Sequence, residues 1–340
     1  MARLCQASPS LNPGLFPQPP KSIKELFLKT LSLFAAALLA LAATASAADP
    51  IRIGLLPAAD SIVITVAAEE GIFKDKGLEV EPMPFRSALE IGSAMRAGAL
   101  DGHFGDLMNV LSQNASGVRQ AVILTTTRTN EGQRCFGLAV SPKLSGSIKS
   151  VSDLNGAGTA MSSSTIIDYL LDRMREQEHL APDAIKDVEI RQIPVRMQML
   201  MAGKVDAALL PEPLVTAAER QGARVVWDDR KLDEPLAVVA LKEELLDPRT
   251  VKAFDEAVSE AARRIEANPE KYRALMVKKR LLPKDGAESY PMVRFSFFGT
   301  KDGLPPLPTE EEVRRVGEWM ASKGMLKSVP DFKDVVYQAP

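Results

Sequence analysis

The chain has 340 residues, 46% of them hydrophobic and 25% charged, with a formal net charge of −2. This composition excludes wholesale disorder, collagen-like repeats and a multi-span membrane protein. The near balance of 42 Lys+Arg against 44 Asp+Glu leaves no basic excess for nucleic acid and no charged interaction tail, while the length allows two domain-sized units.

Lys21, Lys24 and Lys29 precede an apolar run at 31–41, and Ala45-Ser46-Ala47 follows it. A basic region, a short apolar region and a small-x-small site predict a secretory signal peptide over 1–47. The run is too short for a comfortable membrane span, and an uncleaved anchor is the alternative. Residues 1–20 are Pro-rich and fit no targeting logic. Cleavage after Ala47 removes Cys5 and leaves Cys135 alone, so no internal disulfide is expected. With His103 and His179 as the only histidines, no structural metal site is expected. No cysteine follows the apolar run to carry a lipid anchor. The expected compartment is a bacterial periplasm.

From Ile51 onward, strands alternate with helices. The alternation at 51–55 predicts a strand. Asp60-Ser61 offers an N-cap to a helix over 62–70, closed by Gly71. A second strand is predicted at 78–83, extended towards Phe85. Ser87-Ala88-Leu89-Glu90 reads as a capping box for a helix ended by Gly98. A short strand at 101–104 leads through Gly105-Asp106 into a helix to about Ala115. Apolar strands are predicted at 121–127 and 135–140. A second cluster repeats the pattern, with a strand at 159–161 and a helix at 165–177 carrying Ile166, Tyr169, Leu170 and Met174 at helical spacing. A strand at 188–193, a helix at 196–202, a buried strand at 205–210 and a helix at 213–220 follow. Strands at 224–227 and 236–241 come next, and beyond Asp247 the chain is mostly helical, interrupted at Pro269, Pro283 and 304–308. The alternation predicts an α/β architecture, and no short tandem repeat is present.

Several segments together resemble a known family. They are Ala68-Glu69-Glu70-Gly71-Ile72-Phe73-Lys74-Asp75-Lys76-Gly77-Leu78-Glu79-Val80, Met95-Arg96-Ala97-Gly98-Ala99-Leu100-Asp101, Val151-Ser152-Asp153-Leu154-Asn155-Gly156 and Met201-Ala202-Gly203-Lys204-Val205-Asp206-Ala207-Ala208-Leu209-Leu210-Pro211-Glu212-Pro213. In this order, behind a signal peptide, the chain resembles the periplasmic substrate-binding proteins of ABC importers for nitrate, sulfonates, taurine and thiamine-precursor pyrimidines. The resemblance implies a type II periplasmic-binding fold, with two α/β lobes joined by two crossover strands and ligand in the cleft. Lobe 1 would take 48–141 plus 235–340 and lobe 2 would take 142–234, with crossovers near Val140 and Pro235. A monomer without cofactor is expected, with a small-molecule ligand and an ABC importer membrane permease as partners.

Open α/β sheets bind ligands at the carboxyl ends of strands, where helix N-termini present unpaired N–H groups and partial positive charge. Ala58-Ala59-Asp60-Ser61, Gly105-Asp106 and Met161 to Thr165 are such turns. Ser162, Ser163, Ser164 and Thr165 form a hydroxyl-rich helix start, and a plain N-cap needs only one of them. In light of the resemblance, ligand contact is the favoured reading there. Asp60 and Asp106 either cap helices or face the ligand, which would then carry an amine or be neutral. Arg128 is either a cation for a sulfonate or carboxylate or a solvated surface residue. Glu212, in Pro211-Glu212-Pro213, is either a turn residue or a cleft-facing group. His103 reads as structural, and alternating Met197, Met199 and Met201 as packing.

A receptor that closes its lobes on ligand needs no covalent chemistry. The sequence lacks a G-x-S-x-G elbow, a zinc-ligand cluster, a phosphate-binding G-x-x-x-x-G-K-[ST] and the cysteine-rich motif of the pyrimidine-forming relatives. The expectation is therefore a non-enzymatic receptor for a small polar or anionic solute, sulfonate-, nitrate- or taurine-like. A receptor for a thiamine-precursor pyrimidine, or an enzyme or ligand sensor on the same fold, is the alternative. The scarcity of aromatics near the three turns favours the small anion or zwitterion, unless Tyr169, Trp227 or Phe136 reaches the cleft.

Overall fold

The computed structural model describes residues 49–298 and 303–339, and the segment read as a signal peptide lies outside the described residues. In chain order the strands are β1 (Ile51–Leu55), β2 (Val80–Pro84), β3 (Gly102–Gly105), β4 (Gln120–Arg128), β5 (Phe136–Val140), β6 (Gly158–Met161), β7 (Lys186–Glu189), β8 (Ala207–Pro211), β9 (Arg224–Asp228) and β10 (Pro235–Lys242). The helices are α1 (Ile62–Glu69), α2 (Ile72–Asp75), α3 (Ala88–Arg96), α4 (Leu107–Ala115), α5 (Ile166–Gln177), α6 (Ile193–Met201), α7 (Leu214–Arg220), α8 (Pro248–Ala267), α9 (Pro269–Lys278) and α10 (Glu310–Ser322).

Two five-stranded sheets result, ordered β2-β1-β3-β10-β4 and β7-β6-β8-β5-β9. In the first, β1 is parallel to β2 and β3, and β10 runs antiparallel to β3 and β4. In the second, β6 is parallel to β7 and β8, and β5 runs antiparallel to β8 and β9. Each sheet thus takes its antiparallel strand from the chain as it arrives from the other lobe.

This topology moves a boundary. The strand at 136–140, expected in lobe 1 with a crossover near Val140, lies inside the second sheet. The chain therefore crosses over 129–135 and returns over 229–234. Both β5 and β10 are buried apolar runs, suited to a sheet interior, and nothing local in such a run says which sheet receives it. The strand expected at 188–193 is β7, which ends at Glu189, because Ile193 already opens α6. Pro194 sits in that first turn, where its missing N–H costs nothing.

Local chemistry sets most helix ends. Ser87 accepts from Glu90 N, and Asp247 accepts from Arg249 N and Thr250 N at the start of α8. Gly71 at φ +75 stops α1 in a conformation that costs a glycine little. The apolar stripe Val251, Phe254, Val258, Ala261, Ala262 and Ile265 of α8 is buried, and Phe254 meets Phe73 with ring centroids 4.8 Å apart.

A second apolar cluster joins the lobes. It contains Val122 and Val238 of the first sheet, Leu138 and Leu209 of the second, and Val313, Val316 and Met320 of α10. Trp319 packs edge-on against Tyr169 at 5.1 Å and donates from Nε1 to Asp172 at 2.9 Å. Arg128 at the end of β4 pairs with Glu312 of α10, so its place is in this brace.

The two crossovers bind each other. Thr129 N donates to Glu234 O at 3.0 Å, and Glu234 N donates to Thr129 Oγ1 at 2.9 Å. Cys135 N and Phe136 N donate to the buried Asp229 carboxylate at 2.9 and 2.8 Å, whose pKa burial pushes up to about 7. The fully buried Glu234 carboxylate accepts from Arg173 Nε at 3.0 Å and Arg315 Nη2 at 2.8 Å.

Arg173 and Arg315 are 31% and 32% exposed, so water takes up part of the charge that losing Glu234 would leave, and the cost is that of hydrogen bonds to a charged group, about 1.5–3 kcal/mol. Glu234→Ala should therefore lower urea-unfolding stability by that amount, whereas Asp233→Ala next to it, with a side chain 96% exposed, should change it by less than about 0.5 kcal/mol.

His103 lies fully buried in β3, with Gln113 Nε2 of α4 at 3.3 Å from its Nε2. Burial lowers its pKa from 6.5 to about 4. Between these values the unfolded chain binds the extra proton, so this stability is complete above pH 6.5 and is lost as pH falls towards 4. The loss is about 3 kcal/mol. Urea titrations at pH 7 and pH 4 should show a smaller acid loss in His103→Gln than in wild type; equal losses would place the acid sensitivity elsewhere.

Candidate functional site

The carboxyl ends of β1, β3, β6 and β8 converge on one cleft between the sheets. Asp60, Gly105, Asp106, Ser162, Thr165 and Glu212 line it, with Ala58 and Ala59 beside Asp60. The lobes touch across it. Ala59 N donates to Glu212 O at 2.8 Å, Ile193 N to Arg86 O at 3.0 Å, and Gln192 Nε2 to Glu90 Oε1 at 3.0 Å. The remaining cavity is about 60 Å³, small beside the ~300–1,000 Å³ usual for ligand sites. The lobes are closed on each other.

Asp60 caps no helix. Its Oδ2 accepts from Thr126 Oγ1 at 2.6 Å and Thr127 Oγ1 at 2.9 Å, both on β4. Burial raises its pKa, against the lowering effect of those two hydroxyls. Asp106 does cap α4: Oδ1 accepts from Asn109 N at 2.8 Å and Asn109 Nδ2 at 2.7 Å. Its other oxygen reaches the opposite lobe and accepts from Ile166 N at 3.0 Å, in the first turn of α5. Burial raises this carboxyl too, opposed by the bonds from Ile166, Asn109 and Met108. Gly105 admits no larger residue, because a Cβ there would lie 2.8 Å from His103 Nδ1.

The hydroxyl-rich start of α5 is divided. Ser162 and Thr165 line the cleft, while Ser163 and Ser164 line a neighbouring groove beside α3. Thr165 is the N-cap and accepts from Ile167 N at 3.2 Å. Ser163 donates from N and Oγ to Glu189 Oε2 at 3.0 and 2.6 Å, and Ser164 N donates to Asp168 Oδ2 at 3.0 Å. The anion seat expected at this terminus is occupied by the protein's own acceptors, Asp106 among them. Ser61 donates to Ala58 O at 2.8 Å and lines a separate groove with Thr65 and Phe85. Arg128 stands outside the cleft.

Glu212 directly follows β8 and accepts from Arg134 Nε at 2.7 Å, Thr216 Oγ1 at 2.9 Å and Thr216 N at 3.2 Å. Arg134 belongs to the first crossover and also pairs with Glu219. Sequence reasoning missed it, along with Cys135, Arg196 and Tyr290, all lining the cleft. The Cys135 thiol pKa is raised well above the usual range, first by burial and then by Asp229, Asp60 and Glu212, so it is a poor nucleophile. Phe104, Phe136 and Tyr290 give the cleft an aromatic wall; Tyr169 and Trp227 are engaged elsewhere, with Trp319 and Gln177.

Arg196 of α6 is 0% exposed. Its Nε and Nη2 donate to Ile190 O at 3.1 and 3.0 Å, and its Nη1 donates to Leu209 O at 3.2 Å. Burial lowers its pKa to about 10, which still leaves it charged at neutral pH. No periodicity signal marks a buried arginine among methionines; the usable hint was its position one turn after a strand end. Among the described residues, no group of three or more His, Cys, Asp or Glu is placed to hold a metal ion, and no helix is long and apolar enough to cross a membrane.

The model of the NMT1-like family matches residues 44–278. Among solved structures, the chain is similar to the alkanesulfonate-binding protein SsuA from Xanthomonas axonopodis pv. citri bound to MOPS, with 16% identity over 85% of this chain and 98% of that one and a TM-score of 0.69. It is similar to the periplasmic aliphatic sulphonate binding protein SsuA from Escherichia coli, with 18% identity over 86% and 93% of the two chains and a TM-score of 0.68. The periplasmic nitrate-binding protein NrtA from Synechocystis PCC 6803 gives 12% identity over 68% and 66%, with a TM-score of 0.57. These likenesses establish the two-lobed periplasmic-binding fold. No curated protein sequence matches this one.

Removing the Asp106 carboxylate should cost about 0.5–2 kcal/mol through the lost cap on α4. Asp106→Ala should also expose the Ile166 amide to faster hydrogen exchange. Asp106→Ser restores a cap oxygen, so it should recover stability without restoring protection at Ile166; joint recovery would mean that the cross-cleft bond contributes nothing separate.

Proposed function

The chain belongs to the NMT1-like family, and on that premise we propose that it is the solute receptor of an ABC importer. It captures a small polar or anionic solute, of the sulfonate, nitrate or taurine kind, in the periplasm by lobe closure and delivers it to a membrane permease. One observation carries this reading: a closed cleft at the carboxyl ends of both sheets, lined from both lobes by buried polar side chains. Capture by closure needs only two lobes that move about paired crossovers. The cleft thiol is held in its protonated form, which supports binding over covalent chemistry.

A second reading, a receptor for a thiamine-precursor pyrimidine, draws support from Phe104, Phe136 and Tyr290 in the cleft wall, since a flat ring gains from aromatic neighbours.

A thermal-shift screen with nitrate, taurine, alkanesulfonates and pyrimidines should yield at least one stabilising compound. A ligand at 100 times its dissociation constant adds about 2.7 kcal/mol. The chain must open to admit a solute, so small-angle scattering should show the ligand-free protein less compact than the closed form, and compaction with the same compound. Stabilisation by a pyrimidine alone would select the second reading, and no shift and no compaction with any compound would overturn both. N-terminal sequencing of the exported protein should begin near Ala48.

A further inference from the structure

Three buried ionisable side chains in the cleft, Asp60, Asp106 and Arg196, have no hydrogen-bond partner of opposite charge. Asp60, in the turn after β1 on lobe 1, is held only by hydroxyl groups among its side-chain partners. Arg196, on α6 of lobe 2, is held only by backbone carbonyls. Glu212 pairs with Arg134, and Arg191 with Glu189, a carboxylate that also acts on Arg196 through space without bonding it. Asp106 takes N–H donors from both lobes.

We propose that the cleft takes a short ω-amino acid, its ammonium group seated on Asp60 and its carboxylate on Arg196. This deepens the solute-receptor reading and rests on it. A buried charge without a counter-charge is costly, and one ligand with opposite charges at its ends relieves both costs together. The Arg196 guanidinium spends three of its N–H bonds on carbonyls, which leaves one on each terminal nitrogen for a carboxylate. Phe104, Phe136 and Tyr290 offer the methylene body an apolar wall. Because the charges sit on different lobes, such a ligand ties the lobes to each other, whereas a plain anion would satisfy lobe 2 alone.

Calorimetry on the full chain with β-alanine, 4-aminobutanoate and 5-aminopentanoate tests this. Each is compared with the acid lacking its amine and the amine lacking its acid. One ω-amino acid should bind about 10- to 100-fold more tightly than both of its counterparts. Asp60→Asn should abolish the preference over the plain acid, and Arg196→Gln should abolish the preference over the plain amine. Circular dichroism checks that each variant is folded, and the wild-type comparison decides the matter if either is not. The proposal is overturned if no ω-amino acid outbinds its counterparts. Stabilisation or compaction with nitrate, ethanesulfonate or a pyrimidine in that case leaves the receptor reading standing; no thermal shift and no compaction with any compound removes both.

Discussion

Thr129 and Glu234 hold the two crossing segments side by side, and the two-lobed form depends on that junction. One backbone bond and one bond to the Thr129 hydroxyl join the chain where it leaves the first sheet to the chain where it returns. Asp229 adds a carboxylate beneath Cys135 and Phe136, and Glu234 gathers Arg173 from one lobe and Arg315 from α10. Everything at the cleft inherits its position from here. Arg134 and Cys135 stand in the first crossover, and β5 and β10, which begin at the junction, each run one strand in from the edge of opposite sheets. A polar junction suits this place, because its directional bonds fix one arrangement of segments that apolar contact alone would leave free to slide.

The cleft is an electrostatic arrangement more than a cavity. Asp106 occupies the N–H seat at the start of α5 from the opposite lobe, and Glu212 accepts Ala59 N across the gap through its backbone oxygen. Closure is therefore supported by contacts between the lobes themselves. The charges at Asp60 and Arg196 stay outside these bonds, which marks them off from the groups that merely hold the walls together.

Much of the fold was legible because its signals are local. The alternation at β1, the cap at Ser87 and the left-handed glycine at Gly71 each declare themselves within a few residues. The sheet that receives β5 was not legible, because an apolar run is compatible with either interior and only long-range pairing chooses. The extent of α6 was misread for a similar reason: Ile190 and Ile193 continue the apolar pattern of β7 although the chain has already turned. At the site, the strand-end turns led to Asp60, Asp106 and Glu212 because their place follows from the α/β pattern. Arg196 and Tyr290 were missed because they reach the cleft from a helix interior and from the helical tail, positions fixed only by packing. Arg128 looked like a cleft cation because it ends a buried strand, but its partner is a helix that comes almost two hundred residues later.

Helix α10 has a consequence for how the chain reaches its native state. Synthesis delivers residues from the N-terminus onward, and the second sheet has all its strands once β9 has emerged. The first sheet must wait for β10, and the apolar cluster that joins the sheets still lacks Val313, Val316 and Met320. Until those residues arrive, Tyr169 lacks its Trp319 neighbour and Glu234 lacks Arg315. Lobe 2 thus waits, partly uncovered, for the last stretch of the polypeptide. A chain whose shared core is closed by one of its last helices cannot complete its native packing until synthesis is nearly finished.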